Sequence, residues 1–504
     1  MASPTANIAP AAGFFTLLTQ HPIGFWFIFW GEFAERCSYY GMRAILSLYM
    51  AEQLGLGEQN AGLFMSAFIG ACYFLPLVGG YLADNYFGKY NVIVAFSIPY
   101  ILGHVLLGVE NTFFLVIALA LLAMGSGSIK PNISTLMGMT YDQKRPGQDL
   151  LRTQAFSIFY MSINVGAAIS QLAMPVLKVR YGYFTAFLFP AALMVLAFIF
   201  FASGKRFYAV ETISRRAATP EEKALRWDVM RNIGLVFLSV MFFWAMFDQT
   251  ASTWIFYANV YMKSDFFGMT AEQMQAVNPL LIVIFLPLIN FLFTFLTNKG
   301  VNIRATDKMM LGFILTAATM GVMAYCGSLT GMAEKQDKID ADNGQIVRNA
   351  DGTAQQVEVI PEERKISLWY QAIAYFFMTM AEILISVTGL ELAFVAAPKN
   401  MKSFVTSLWL LTVALANWGI NMPLSQFYPR MHPGSYFAMM AAIMFAVIIA
   451  FYFIAQHFNR AMAIQKLKEQ PALSEEDADR LLSDQIPNTA SDGIQPHSKR
   501  DGIQ

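Results

Sequence analysis

Long apolar runs alternate with short polar breaks along this chain, and twelve of the runs are long enough to cross a bilayer. A spanning helix needs roughly 20 mostly apolar residues. Such runs lie near 22–50, 59–84, 90–109, 112–136, 151–176 and 181–204, then near 229–261, 277–298, 308–329, 366–396, 400–428 and 434–457. A hydrophilic connector at 205–227, KRFYAVETISRRAATPEEKALRW, separates the two sets and is too short and too charged to hide two more spans. The pattern predicts an all-α membrane protein of twelve transmembrane helices in two six-helix bundles, 22–204 and 228–458. A cytoplasmic segment, 1–21, precedes them and a cytoplasmic tail, 459–504, follows.

Composition agrees. The 504 residues are 56% hydrophobic and only 13% charged, with mean hydropathy +0.46, against about 25% charged in a soluble domain. A net charge of zero gives no sign of a nucleic-acid partner. Cys37, Cys72 and Cys326 are far apart in apolar stretches and form neither a disulfide framework nor a metal-ligand pattern. The N-terminus lacks the basic start of a cleavable signal, so the first apolar run is expected to stay.

Short loops on one side carry Lys89, Lys144, Arg145, Arg152, Lys205, Arg206, Arg215, Arg216, Lys299, Arg304 and Lys399, while those at 51–58 and 110–111 have no Lys or Arg. By the positive-inside rule both termini are cytoplasmic. The long outer loop 330–365 is polar, and is expected to be disordered or to hold a small hairpin across Asp351-Gly352. The tail after about residue 463 reads as a short amphipathic helix and then a disordered end. Six plus six helices around one connector is the layout of a transporter built from two repeated halves.

The first span carries Glu32, Glu35, Arg36 and Arg43. Left unpaired, three charges at a helix centre cost roughly 7–10 kcal/mol. Spacing explains how the helix bears them. Glu32 and Arg36 are one turn apart, Glu35 lies beside both, and Arg43 is two turns beyond Arg36. This stripe must face a protein interior or a wet cavity. An ion-paired staple between helices is the plainer reading. A carboxylate competing for a shared arginine is the functional one, since it is a natural proton acceptor.

Other spans carry Lys130, Asp248 and Glu382; Glu391 lies near a helix end and reads as interfacial. Two latches suggest themselves between equivalent helices of the halves, Arg43 with Asp248 at the outer end and Lys130 with Glu382 at the inner end. Rocking between such latches is alternating access around a midplane site. With Arg36, Arg43 and Lys130 on one wall and Glu382 on the other, the cavity favours a ligand with a carboxylate at one end and an ammonium at the other.

Gly80, Asp84 and Gly88 in GGYLADNYFGK resemble the loop between the second and third helices of the major facilitator superfamily. A narrower resemblance follows. Glu32-Phe33-Ala34-Glu35-Arg36 with Ser38-Tyr39-Tyr40-Gly41 resembles the E-x-x-E-R-F-x-Y-Y-G motif of proton-coupled oligopeptide transporters. Phe159-Tyr160-Met161-Ser162-Ile163-Asn164-Val165-Gly166 is similar to their F-Y-x-x-I-N-x-G signature. Ser386–Glu391 and Ala397–Ser403 are similar to the region of their tenth and eleventh helices.

The resemblance implies a major facilitator fold and import of di- and tripeptides with protons as the coupling ion. It implies no other cofactor, function as a monomer, and a place in the plasma membrane, the inner membrane of a bacterium. It further implies that Arg36, Arg43 and Lys130 face the peptide carboxylate and that Asn164, Asn278 and Glu382 hold its amino terminus. Tyr39, Tyr40, Tyr73, Trp244 and Trp409 would line side-chain pockets, where aromatic walls suit varied substrates. Three positions depart from the family pattern. Cys37 replaces a Phe, Asp248 replaces a Glu, and Ser66 stands where animal members carry a His.

The implied mechanism admits protons through Asp248 and the Glu32/Glu35 pair, loosening Arg43, after which peptide competes for Lys130 and Glu382. One charge crossing 100 mV releases about 2.3 kcal/mol, enough for roughly 50-fold accumulation. The rivals are a same-fold carrier for nitrate, an amino acid or another small anion, and a membrane receptor or channel. No His cluster, nucleophile elbow or phosphate loop suggests an enzyme.

Overall fold

The structure, a computed structural model, describes residues 19–211, 213, 219–301, 303–339, 344–348, 352–389, 391–392 and 402–469. The motif stretch 397–401 and the tail beyond 469 lie outside them.

In chain order the N-terminal half has α1 (Ile23–Leu48), α2 (Gly57–Leu82), α3 (Lys89–Leu107) and α4 (Thr112–Lys144). The long helix Asp149–Ser203 follows. Gly182 divides it into α5 (149–181) and α6 (183–203), with φ 77° and ψ 170°, a conformation that glycine alone adopts without strain. The C-terminal half has α7 (Pro220–Asp248), which runs through a tight turn into the short helix Thr253–Tyr261, then α8 (Val277–Asn298) and α9 (Ala305–Thr330). It ends with α10 (Trp369–Glu382), α11 (Lys402–Ala416) and α12 (Pro433–Glu469).

Ten stretches of the described residues are long and apolar enough to cross a membrane. Asp149–Ser203 counts once among them, and α1 is absent because of its four charged residues. The distribution of side chains is that of a protein in lipid. Phe113, Phe291 and Phe453 are exposed, whereas Glu32, Glu35, Arg36, Arg43 and Asp248 are buried.

Within the N-terminal half α1 packs along Asp149–Ser203 and α3 along α4; within the C-terminal half α9 packs on α10 and α12. Across the halves α2 meets α11 and the 149–203 helix meets α8. A close approach occurs at Gly70 of α2, where an added Cβ would lie 2.2 Å from the indole nitrogen of Trp418. That nitrogen donates to the Ala67 carbonyl at 3.2 Å. Among the described residues four helices widen into π-helical turns, at Tyr49–Gln53, Ala83–Phe87, Ile383–Val387 and Asn417–Asn421; such turns often accompany function.

The loop expected to be disordered or a hairpin is a hairpin. β2 (Glu334–Asp337) pairs antiparallel with β3 (Gln356–Val359), and Gly352 has φ 85°; Asp351 is outside the described residues. A second small pairing is parallel, between β1 (Met262–Lys263) and β4 (Ile366–Ser367). The hairpin reaches the opposite half, where Lys338 Nζ donates to the Glu52 carbonyl at 3.2 Å and Gln355 donates to the same oxygen.

Candidate functional site

The charged stripe of α1 opens onto a cavity of about 350 Å³ between the halves, within the range of small-molecule sites, about 300–1,000 Å³. From the N-terminal half it is lined by Glu32, Arg36, Tyr40 and Arg43 of α1, Tyr73 of α2, Lys130 of α4 and Asn164 of α5. The other half contributes Trp244 and Asp248 of α7, Asn278 of α8 and Glu382 of α10.

Arg36 is almost fully buried. Its Nε lies 3.1 Å from Glu32 Oε1, and Glu35 contacts the same nitrogen, so both glutamates share one cation. Arg43 reaches across the halves to Asp248, Nη2 to Oδ1 3.1 Å. Asn417, in the π-helical turn after α11, donates to the other Asp248 oxygen at 2.7 Å. The short aspartate therefore closes the pair expected at the outer end in spite of its missing methylene.

Lys130 and Glu382, expected to close the inner end, form no ion pair in this conformation, in which the Arg43–Asp248 pair is closed. Lys130 Nζ sits 4.0 Å from the centre of the Tyr73 ring, a cation–π position. Glu382 instead accepts from Asn278 Nδ2 at 2.7 Å. Each charge has found a local partner while the cavity holds them apart.

Three expected residues do not reach the cavity wall. Tyr39 is turned about 60° from the stripe of Arg36 on a helix of 3.6 residues per turn, and its ring packs near Phe68 and Tyr40. Glu35 stands behind Arg36. Trp409 backs Trp244 and Phe237. The sequence reading missed Tyr160, Gln171, Gln275 and Tyr375, which also line the cavity. Tyr160 and Gln171 were findable, being four residues before and seven after Asn164 on one face of α5.

The halves are also tied at the cavity roof and beyond it, at the end away from the connector. Lys178 of α5 pairs with Glu272 at 2.5 Å. Gln275 donates to the Ala44 carbonyl at 3.0 Å, and Asn259 donates to Glu52 at 2.6 Å. Among the described residues no group of three or more His, Cys, Asp or Glu side chains is placed to hold a metal.

A family profile described as PTR2, POT family, matches residues 90–231 and 211–439. The chain belongs to the POT family. The chain is 32% identical over 414 residues to mouse solute carrier family 15 member 2, covering 71% of this chain and 56% of that protein. Against the human protein of the same name it is 33% identical over 359 residues, 61% of this chain and 49% of that one. It thus spans about half the length of these animal relatives. The crystal structure of the POT family transporter PepTSo superposes with a TM-score of 0.72 at 26% identity, covering 87% of this chain and 99% of that one. The chain thus shares the fold of that solved POT family transporter.

Proposed function

We propose that this chain imports di- and tripeptides with protons, by alternating access of two six-helix bundles. In this reading the twelve spans are α1 to α12, with α5 and α6 counted separately and α1 spanning despite its charges. Both termini lie in the cytoplasm, the membrane is the bacterial inner membrane, and the monomer is the working unit.

One observation carries the substrate class. Within a single cavity, cations at Arg36, Arg43 and Lys130 stand on the N-terminal wall, while Glu382, held by Asn278, stands on the C-terminal wall. A zwitterionic peptide matches that arrangement at both ends, whereas a bare anion leaves Glu382 without a cationic partner. The names of the relatives support the same class, PepTSo being a POT family transporter and a 33% identical fruit-fly protein a peptide transporter. Arg36, Arg43 and Lys130 would bind the peptide carboxylate, and Asn164, Asn278 and Glu382 its amino terminus. Tyr40, Tyr73 and Trp244 would flank its side chains, while Tyr39 and Trp409 support the aromatic wall from behind.

Proton coupling falls to Glu32, Glu35, Arg36 and Asp248. Two carboxylates on one buried guanidinium leave one of them a candidate to take a proton without stranding the cation. The test is dialanine uptake into proteoliposomes under an inward proton gradient. Wild-type protein should concentrate the peptide, and free alanine or nitrate should not compete. The Glu35→Gln variant should exchange dialanine in counterflow yet fail to concentrate it; retained accumulation removes Glu35 from the coupling.

A further inference from the structure

Gln171 lies on the same face of α5 as Asn164 and Ala167, and all three line the cavity. Seven residues beyond Asn164 place it about 10 Å farther along the helix axis, towards the outer end. Gly41 of α1 packs against Ser170 and Met174, the neighbours of Gln171, so Gln171 stands level with the Arg43–Asp248 pair. It belongs to the roof of the cavity.

Its side chain is 5% exposed, and its Oε1 is buried with no hydrogen-bond partner. Most other polar groups of the roof are engaged, although Arg43 Nε is likewise buried without a hydrogen-bond partner. Arg43 and Asp248 hold each other, Asn417 holds Asp248, Gln275 donates to the Ala44 and Glu272 carbonyls, and Thr250 donates to Phe247. Buried polar side chains are nearly always paired, and a free one needs an explanation. A carboxamide facing a cavity offers one acceptor group and one donor group. It is neutral, so it offers nothing to offset the desolvation of a charged side chain.

We propose that Gln171 is a neutral polar subsite in the cavity roof, selecting peptides whose side chain carries an uncharged hydrogen-bonding group over their apolar isosteres. This rests on the peptide-transport reading above. It adds a specificity that the charged ends of the cavity do not supply, because those read only the peptide termini. A site built to hydrogen-bond a hydroxyl or amide discriminates against the analogue that lacks it, since its own polar group is then left unpaired.

Threonine and valine are the isosteric pair for the test. Unlabelled Ala-Thr and Ala-Val, and Thr-Ala and Val-Ala, compete with labelled dialanine for uptake into proteoliposomes. In the wild-type protein one threonyl peptide should compete at a roughly two- to tenfold lower concentration than its valyl partner, the range of one net hydrogen bond. Gln171→Met, close in volume, should bring the two to parity or reverse them. Gln171→Glu keeps an acceptor and should retain part of the preference.

Equal competition in the wild type overturns the proposal without any variant. So does an unchanged threonine-to-valine ratio in Gln171→Met, which assigns the free amide to water alone. If wild-type protein takes up no dialanine, the peptide reading itself has failed. If dialanine is taken up and the ratio does not move, only the subsite has failed.

Discussion

Arg36 and Arg43 are both buried arginines of one helix, yet they answer to different partners. Arg36 is held by two glutamates of its own helix and Arg43 by an aspartate of the other half. Changing Asp248 to Asn should therefore strand Arg43, a loss of about 3–5 kcal/mol for breaking a buried pair. That penalty falls on the closed end away from the connector, the outer end in the proposed orientation. A single cysteine placed beside the outer seam should label faster in Asp248→Asn than in the parent, and equal rates would remove the latch. The same geometry separates the two glutamates. Glu32 lines the cavity and Glu35 does not, so Glu32→Gln should raise the KM for dialanine several-fold, and an unchanged KM would place Glu32 away from the peptide. At this scale the charges were legible because ionisable residues stand out in an apolar run. Tyr39 and Trp409 were misplaced because a motif gives residue identity without helix phase. Asn417 was silent because a neutral amide in a span carries no such signal.

Among the elements, the connection between α7 and α8 bears a buried acid. Glu272 is packed against Lys178 of α5, with Glu52 at the end of α1 nearby. Burial pushes its carboxyl above the usual glutamate range, only partly opposed by the Lys178 ammonium. The sign follows from linkage. A carboxyl with a raised pKa in the closed state binds its proton more tightly there than in an open state where water reaches it. Acidification then favours outer closure, and this preference is lost as pH rises through the raised value. Labelling at the outer seam should increase with pH over that window, and Glu272→Gln should flatten the dependence; an unaltered profile assigns it to another group. Most elements were legible from apolar run length, including the division near 177–180 that Gly182 makes. The hairpin was only half legible. Its strands are polar, and part of what positions it is the Glu52 carbonyl of the other half, more than 280 residues away in sequence.

For the whole molecule, the outer seam is a set of small contacts between α2 and the π-helical turn and short helix, Met422–Ser425, that follow α11. Gly70 receives the Trp418 indole, and Gly62 approaches Ser425 to 3.0 Å from an added Cβ. A Gly70→Val side chain has no room there, so the halves should part at this end. The expected result is faster outer labelling with little change in thermal stability, because the core of each half is untouched; a large drop in Tm with unchanged labelling would place the strain inside one half. The two-half layout was legible from the connector at 205–227, whereas the conformation was not, since two residues that are able to pair carry no record of which pair is closed.

The seat of Trp418 makes the seam visible to light. Its indole lies between the halves and donates to the Ala67 carbonyl, so opening exchanges that carbonyl for water. Indole emission moves to the red when the ring meets water. The difference spectrum between the wild-type protein and Trp418→Phe would follow the outer end in real time, with no label attached.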